Sequence, residues 1–364
     1  MFSVSLAVQR RRNLRPVEIS SDGAFPLPLA EPIKKENCEA YHGQRKALQL
    51  RNPMLGCPHM NSMNRAQPKV VVVGAYNADL RVSCETPLVP GKSITGGPLQ
   101  IFGGGRGANC AVAAAKAECT VSFIGAYGRD GFGEMAKGQL TGERINLDYF
   151  VEVPHANTGT TLNLVEANTG KDFLVCAESA NDHVTPKMIQ AARDIIISAD
   201  LVISELEIPR ETVWELMKLC EQHSRPFALD ISPLNRTDRI PESNILLVVS
   251  ESIEEAMSIT KTESPSYAIE ELHRLGCQNV ILINNSTEVT FSDQRRTETI
   301  SVPIACIVDR CGATECLETW TALSLIRGAS LAEACREAVI ATSYSLSCLG
   351  GHRGMPRRSE IELA

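Results

Sequence analysis

The chain has 364 residues, 43% hydrophobic and 22% charged, which is the composition of an ordinary globular protein long enough for one large core or two smaller ones. No apolar run approaches the ~20 residues a membrane span needs, and thirteen cysteines lie scattered without C-x-x-C or Cys/His ligand spacing, as expected of reduced thiols in the cytoplasm. The net charge of −7 is uneven: the first 65 residues carry ten Lys/Arg against five acids, leaving −12 for the rest (−7 less +5), and so acidic a body argues against a nucleic-acid partner.

Residues 1–67 lack sustained periodicity and are interrupted by Pro26, Pro28, Pro32, Pro53 and Pro58. We expect an irregular, disordered extension ahead of a domain spanning 68–364. The opening M-F-S-V-S-L-A-V-Q-R-R-R places its charges after the apolar stretch, the wrong order for a secretory signal. From Lys69 the pattern becomes regular. Val70–Val73 reads as a buried strand, Ala108–Ala117 as an Ala-rich helix and Val121–Ala126 as a strand, with a helix starting near Gly131. Thr160–Glu166 and Asp172–Cys176 alternate around N-T-G-K and read as a hairpin; with the polar stretch 79–101 they form a candidate lid, placed at 79–101 and 158–176. Strands follow at Leu201–Ser204, Phe227–Asp230, Ile245–Val249 and Val280–Ile283, with helical patterns at 185–197, 210–223 and 265–275. The apolar run Ile304–Val308 reads as one more strand. After it Leu317, Trp320, Leu323, Leu325 and Ile326 recur at helical spacing. Strands alternating with helices specify an α/β protein with a mainly parallel sheet covered on both faces.

Two stretches carry chemistry. In V-D-R-C-G-A-T-E-C-L (Val308–Leu317) a small-residue turn leads into a helix. The free backbone N–H groups near Gly312 and Ala313, with the positive end of the helix dipole, suit an anion. Glu315 beside that turn is either a base next to a phosphate or an acid that merely favours the first helical turn. The second stretch is F-G-G-G-R-G-A-N (Phe102–Asn109), where glycines allow close backbone approach and Arg106 and Asn109 bring polar groups to a helix start. It is neither a G-x-G-x-x-G dinucleotide loop nor a P-loop.

With V-V-V-G-A-Y-N-A-D (Val71–Asp79), G-x-x-G-x-D-G-F-G (Gly125–Gly133) and the Val308–Leu317 turn, in this order, the chain resembles the ribokinase family of carbohydrate kinases, the phosphofructokinase-B type, over roughly residues 69–356. The N-A-D and G-G-[KR]-G-A-N pair is most like that family's ribokinase branch. The resemblance implies a three-layer α/β/α fold with a mainly parallel central sheet and a small β lid. It implies transfer of a phosphoryl group from ATP, with Mg2+, to a sugar hydroxyl, foremost ribose to ribose 5-phosphate, with K+ as a candidate monovalent cation and a homodimer through the lid. It assigns Asn77, Asp79, Gly105, Arg106, Asn109 and Glu207 to the sugar, Glu315 as catalytic base, and Gly312, Ala313 and Thr314 as the anion hole. Asp309 falls in the monovalent-cation loop, and Ser250, Asn285 and Ser286 fall on the nucleotide side.

The chain also departs from the pattern. The family's G-A-G-D is Gly312-Ala313-Thr314-Glu315 here, which lengthens the base by one carbon and puts a branched side chain where glycine normally permits close phosphate approach or unusual φ/ψ. The family's N-x-x-E becomes Ser250–Ile253, with Glu251, Glu254 and Glu255 as candidate replacements, and G-S-x-G becomes Asn285-Ser286-Thr287-Glu288. An impaired pseudokinase that binds a sugar or nucleoside is therefore the alternative expectation.

Overall fold

The computed structural model describes residues 67–232, 240–284, 287–304 and 307–361. Asn285, Ser286 and nearly all of the N-terminal extension lie outside these residues. A nine-stranded sheet forms the centre. Strand β1 (Lys69–Val73) pairs in parallel with β4 (Thr120–Gly128) on one side and with β8 (Leu201–Ser204) on the other. Beyond β4 lies β5 (Asn146–Val153); beyond β8 follow β9 (Phe227–Asp230), β10 (Ile245–Ser250) and β11 (Cys277–Asn284), all parallel. The sheet ends in two antiparallel strands, β12 (Glu288–Ser292) and β13 (Thr297–Ser301).

The inner strands read as continuous apolar runs because both faces are covered. Val70 and Val72 enter one core with Leu201 and Ile203, while Val71, Val73 and Val202 enter the other. The first core is capped by α1 (Arg106–Lys116), α2 (Gly131–Gly142), α8 (Ala313–Ile326) and α9 (Leu331–Leu346). The second is covered by α3 (Pro186–Ala191), α4 (Arg193–Ile197), α5 (Arg210–Gln222), α6 (Ile253–Thr260) and α7 (Pro265–Arg274). Helix α8 is buried almost all round, with Trp320 inaccessible to solvent.

A separate four-stranded sheet joins β2 (Asn77–Cys84), β3 (Gln100–Gly104), β6 (Thr160–Glu166) and β7 (Asp172–Cys176) in the order β3-β2-β6-β7. The hairpin read from the sequence is present with those boundaries, and so are β8 and β9. One expectation fails. Of the apolar run 304–308, the described residues Ile304, Ile307 and Val308 are not in a strand. Pro303 removes a ladder donor just before the run. The Val308 and Asp309 amides instead donate to the Leu346 carbonyl, which ties these two residues to the end of α9.

From β1 the chain moves to β4 and β5 on one side, then returns to continue from β8 on the other. The order therefore reverses between β1 and β8, and the crevice beyond the C-terminal ends of such strands is where open α/β sheets bind ligands.

Candidate active site

Four strand ends, of β1, β8, β9 and β10, and two helix starts, of α1 and α8, converge at that crevice. Asn77 opens the four-stranded sheet just after β1. Its amide donates to Glu207 at 3.4 Å, and its oxygen accepts from Asn181 Nδ2 at 2.9 Å. Asp79, two residues on and facing the same way, is pushed up to about 7 by burial, with Glu207 and Asp309 adding repulsion and the Thr161 hydroxyl opposing it. Gly104 pairs across from Asn77, and a side chain there would collide with the Asp79 carboxylate. Gly105 caps α1 at φ +86°, and a Cβ would lie 2.6 Å from the Asn77 nitrogen, so this turn demands glycine. Asn109, one turn into α1, is buried with its side-chain oxygen unpartnered. Asn77 and Glu207 line a cavity of about 250 Å3 with Cys176, Ser179, Asn181 and Leu206.

Arg106 is the hub. Nη1 meets Asp230 at 2.6 Å, Nη2 bonds Glu251, Nε lies 3.4 Å from Glu207, and Nη1 stands 3.7 Å from Glu315. The planar fork suits this spread of carboxylates, which a lysine could not span. Burial disfavours the guanidinium, but the four acids more than offset it and hold its pKa well above the ordinary value. Placing one cation among four carboxylates leaves the acids under-compensated. Burial pushes Glu315 up to about 8, with Arg106 opposing and Asp230 and Glu251 reinforcing the rise. Glu255 is pushed up to about 7, first by burial and then by Glu251.

Glu315 is only 5% exposed, in the first turn of α8. An acid there purely for the helix dipole would face water; this one faces Arg106 and the interior. The turn before it depends on Gly312, at φ +82°, where a Cβ would sit 2.8 Å from the Met355 methyl. Thr314 lies within the helix and has no left-handed backbone, so the conformational objection to a branched residue there falls away. What remains is its bulk at the mouth of the turn. Asp309 shapes the turn from below: one oxygen accepts from Cys311 N at 3.2 Å and the other from Gly350 N at 2.9 Å.

Around the start of α8, Glu251, Arg310, Ala313 and Thr314 border a cleft whose walls include Ile283, Val289 and Leu317. It holds only about 50 Å3, against ~300–1,000 Å3 for a typical small-molecule site. Ser250 is fully buried and spends its hydroxyl on the Ser252 carbonyl. Glu254 lies in the first turn of α6, and Glu288 opens β12 with Asn284 donating to it at 3.2 Å. The structure therefore brings Asn77, Gly105, Arg106 and Glu207 together, with Arg106 reaching Glu315. Asp230, Glu205 and Asn181 were not singled out from the sequence; the D closing F-A-L-D, at a parallel strand's C-terminal end, was the one signal available for Asp230.

A buried carboxylate thus stands at a helix start, joined through Arg106 to the wall of a polar cavity, at the switch point of a three-layer α/β sheet. The sequence profile of the pfkB family carbohydrate kinases matches residues 67–358. A ribokinase of Bacillus subtilis is 30% identical over 300 residues, covering 80% of this chain and 98% of that protein. The solved Arabidopsis thaliana ribokinase, complexed with ribose and ATP, superposes with a TM-score of 0.73 at 27% identity, covering 82% of this chain and 99% of that one. A Giardia lamblia ribokinase structure shares the fold at TM-score 0.71 and 22% identity. The chain belongs to the pfkB family of carbohydrate kinases. Among the described residues no helix is long and apolar enough to cross a membrane.

Proposed function

We propose that this kinase phosphorylates ribose, transferring the γ-phosphoryl group of ATP to the sugar's primary hydroxyl to give ribose 5-phosphate and ADP. The observation that carries the reading is the position of Glu315: buried at the start of α8 and joined through Arg106 to Glu207 of the polar cavity. In this reading Asn77, Asp79, Gly105, Asn109 and Glu207 bind sugar hydroxyls. Glu315 takes the proton from the attacking hydroxyl, and the backbone N–H groups of Gly312, Ala313 and Thr314 receive the charge of the transferring phosphoryl. Arg106 holds the base and the sugar wall in one frame.

Magnesium suits the nucleotide side. Glu251 is half exposed at the cleft, and Glu255 has a buried oxygen without a hydrogen-bond partner. These two would hold the ion together with the triphosphate, since Mg2+ commonly takes one or two carboxylates and keeps phosphate and water for the rest. When bound it neutralises phosphate charge that the local acids would otherwise repel. We assign Asp309 the shaping of the anion turn, with K+ as the monovalent ion its loop would accept.

The small nucleotide-side cleft and the G-A-T-E turn favour a second reading, a sugar binder with little turnover. ADP release over a sugar panel separates the two when wild type is run beside a Thr314→Gly/Glu315→Asp double variant. The kinase reading expects wild-type turnover on ribose. An inert wild type with an active double variant would establish the binder.

We also infer a homodimer through the lid. Leu162 pairs with Val175 and Leu164 with Phe173, so all four share one sheet face, where they are 41–61% exposed. Leu80 and Val82 extend that face from β2. An apolar sheet face left in water marks an interaction site. Sedimentation should give a dimer for wild type and a monomer for Phe173→Glu/Val175→Glu; a monomeric wild type sinks the idea.

A further inference from the structure

Glu205 is 1% exposed and does not line the sugar-side cavity. The β1–β8 ladder ends at Val73 and Ser204, where the Ser204 hydroxyl donates to the Val73 carbonyl at 2.8 Å. Past that point the two chains part: Gly74 N turns to the Ile124 carbonyl of β4, and the N–H groups of Ala75 and Glu207 need other acceptors. Glu205 supplies them. One carboxylate oxygen accepts from Ala75 N at 2.7 Å, and the other accepts from Glu207 N. Its first oxygen occupies the space a side chain at position 74 would take: a Cβ on Gly74 would lie 2.5 Å away. One carboxyl group thus joins the chain that carries Asn77 to the chain that carries Glu207, the two walls of the cavity.

We propose that Glu205 is a positioning residue for sugar capture, clamping Ala75 and Glu207 so that Asn77 and Glu207 address one sugar from two different strand ends. The assignment rests on the reading of Asn77 and Glu207 as sugar-binding. The clamp sets a distance that neither wall fixes alone. The Asn77–Glu207 contact is a long 3.4 Å and lies at the cavity, where a ligand competes for it. Aspartate would be too short to reach both amides, and an apolar side chain would leave both without acceptors. Burial and the neighbouring Glu207 push Glu205 up to about 8, while the Ala75 and Glu207 amides and then Arg106 favour its ionised form.

The test compares wild type with Glu205→Leu, Glu205→Ala and Glu205→Gln in steady-state kinetics and thermal melting. Loss of the clamp should raise the sugar KM about tenfold or more in the Leu and Ala variants, with the ATP KM within about twofold. The Gln variant keeps one acceptor and the side-chain volume, and should recover most of the lost affinity. Should Glu205→Leu fail to fold, Glu205→Ala decides, because water can enter the space it leaves. An unchanged sugar KM in a folded Leu or Ala variant overturns the proposal. So does a joint rise of the sugar and ATP KM values with a lowered melting point, which is the signature of general damage. Wild type that binds no sugar by calorimetry would instead overturn the sugar-site reading beneath it.

Discussion

Glu315→Gln is expected to lower phosphoryl transfer by about 10²–10⁴, the contribution of a positioned general base, with sugar binding nearly unchanged. Glutamine keeps the volume and can still face Arg106, so the loss would be chemical rather than architectural. The same change should stabilise the fold. Burial and nearby acids raise the Glu315 pKa to about 8, so at neutral pH the folded protein must hold a proton that the unfolded chain releases. Removing that linkage is worth on the order of 1–3 kcal/mol at pH 7. Stability bought at the expense of turnover is the pattern of a group placed for function. The pH profile follows with its sign. A base works in its ionised form, so wild-type kcat/KM should rise with pH through about 8, the range of the free enzyme's Glu315. A variant with wild-type turnover, or a wild-type profile flat from pH 6 to 9, would remove Glu315 from the chemistry.

The second large effect belongs to Arg106. Arg106→Met should destabilise the protein by about 3–5 kcal/mol near pH 8, because it strips the shared cation from Asp230, Glu251, Glu207 and Glu315. Asp230 bears most of this, since its side chain has no solvent exposure to fall back on. The loss should shrink at pH 5.5, where Glu207 and Glu315, whose pKa values burial raises, take up protons. Wild type should show the same slope more gently. Asp79 and Glu255 are raised to about 7, and Glu205 and Glu315 to about 8. For acids raised on folding, the stability contribution is full below the unfolded value near 4 and is lost as pH rises through 7 and 8. Arg106→Lys keeps the charge but not the fork and should fall between. Urea unfolding at pH 5.5 and 8.5 measures all three proteins. A cost under about 1 kcal/mol at both pH values would mean that Arg106 is not the electrostatic centre of the site.

The architecture was legible where one residue pattern had one physical meaning. The runs L-V-I-S and F-A-L-D are short and apolar, each ending in a polar residue, and they are the strands β8 and β9. Ile304–Val308 had the same composition and failed. Composition cannot report that Pro303 interrupts the ladder or that the Leu346 carbonyl claims the amides of Val308 and Asp309. Helix α9 passed unread, because its apolar positions are mostly alanine and cysteine and give little amphipathic contrast.

Motifs that travel as continuous strings, N-A-D, G-G-G-R-G-A-N and G-A-T-E, marked where several chemical groups lie. Their mutual electrostatics stayed hidden. Arg106 and Asp230 are 124 positions apart, and only the β9 strand end brings them to 2.6 Å. Glu205 looked like a neighbour of Glu207 in S-E-L-E; its two amide contacts, one of them 130 residues away, exist only in the folded protein. The concern that Thr314 would strain the anion turn also needed the backbone, which places the left-handed residue at Gly312 instead.

The most direct measurement is the product itself. Purified wild-type protein is incubated with Mg-ATP and ribose near pH 8, and the mixture is followed by phosphorus NMR and mass spectrometry. A ribokinase-type enzyme yields ribose 5-phosphate and ADP in equal amounts, and Glu315→Gln yields neither at a comparable rate. Ribose bound in calorimetry with no phosphorylated sugar formed at any pH up to 9 would contradict it, and would leave a binding protein built on a kinase fold.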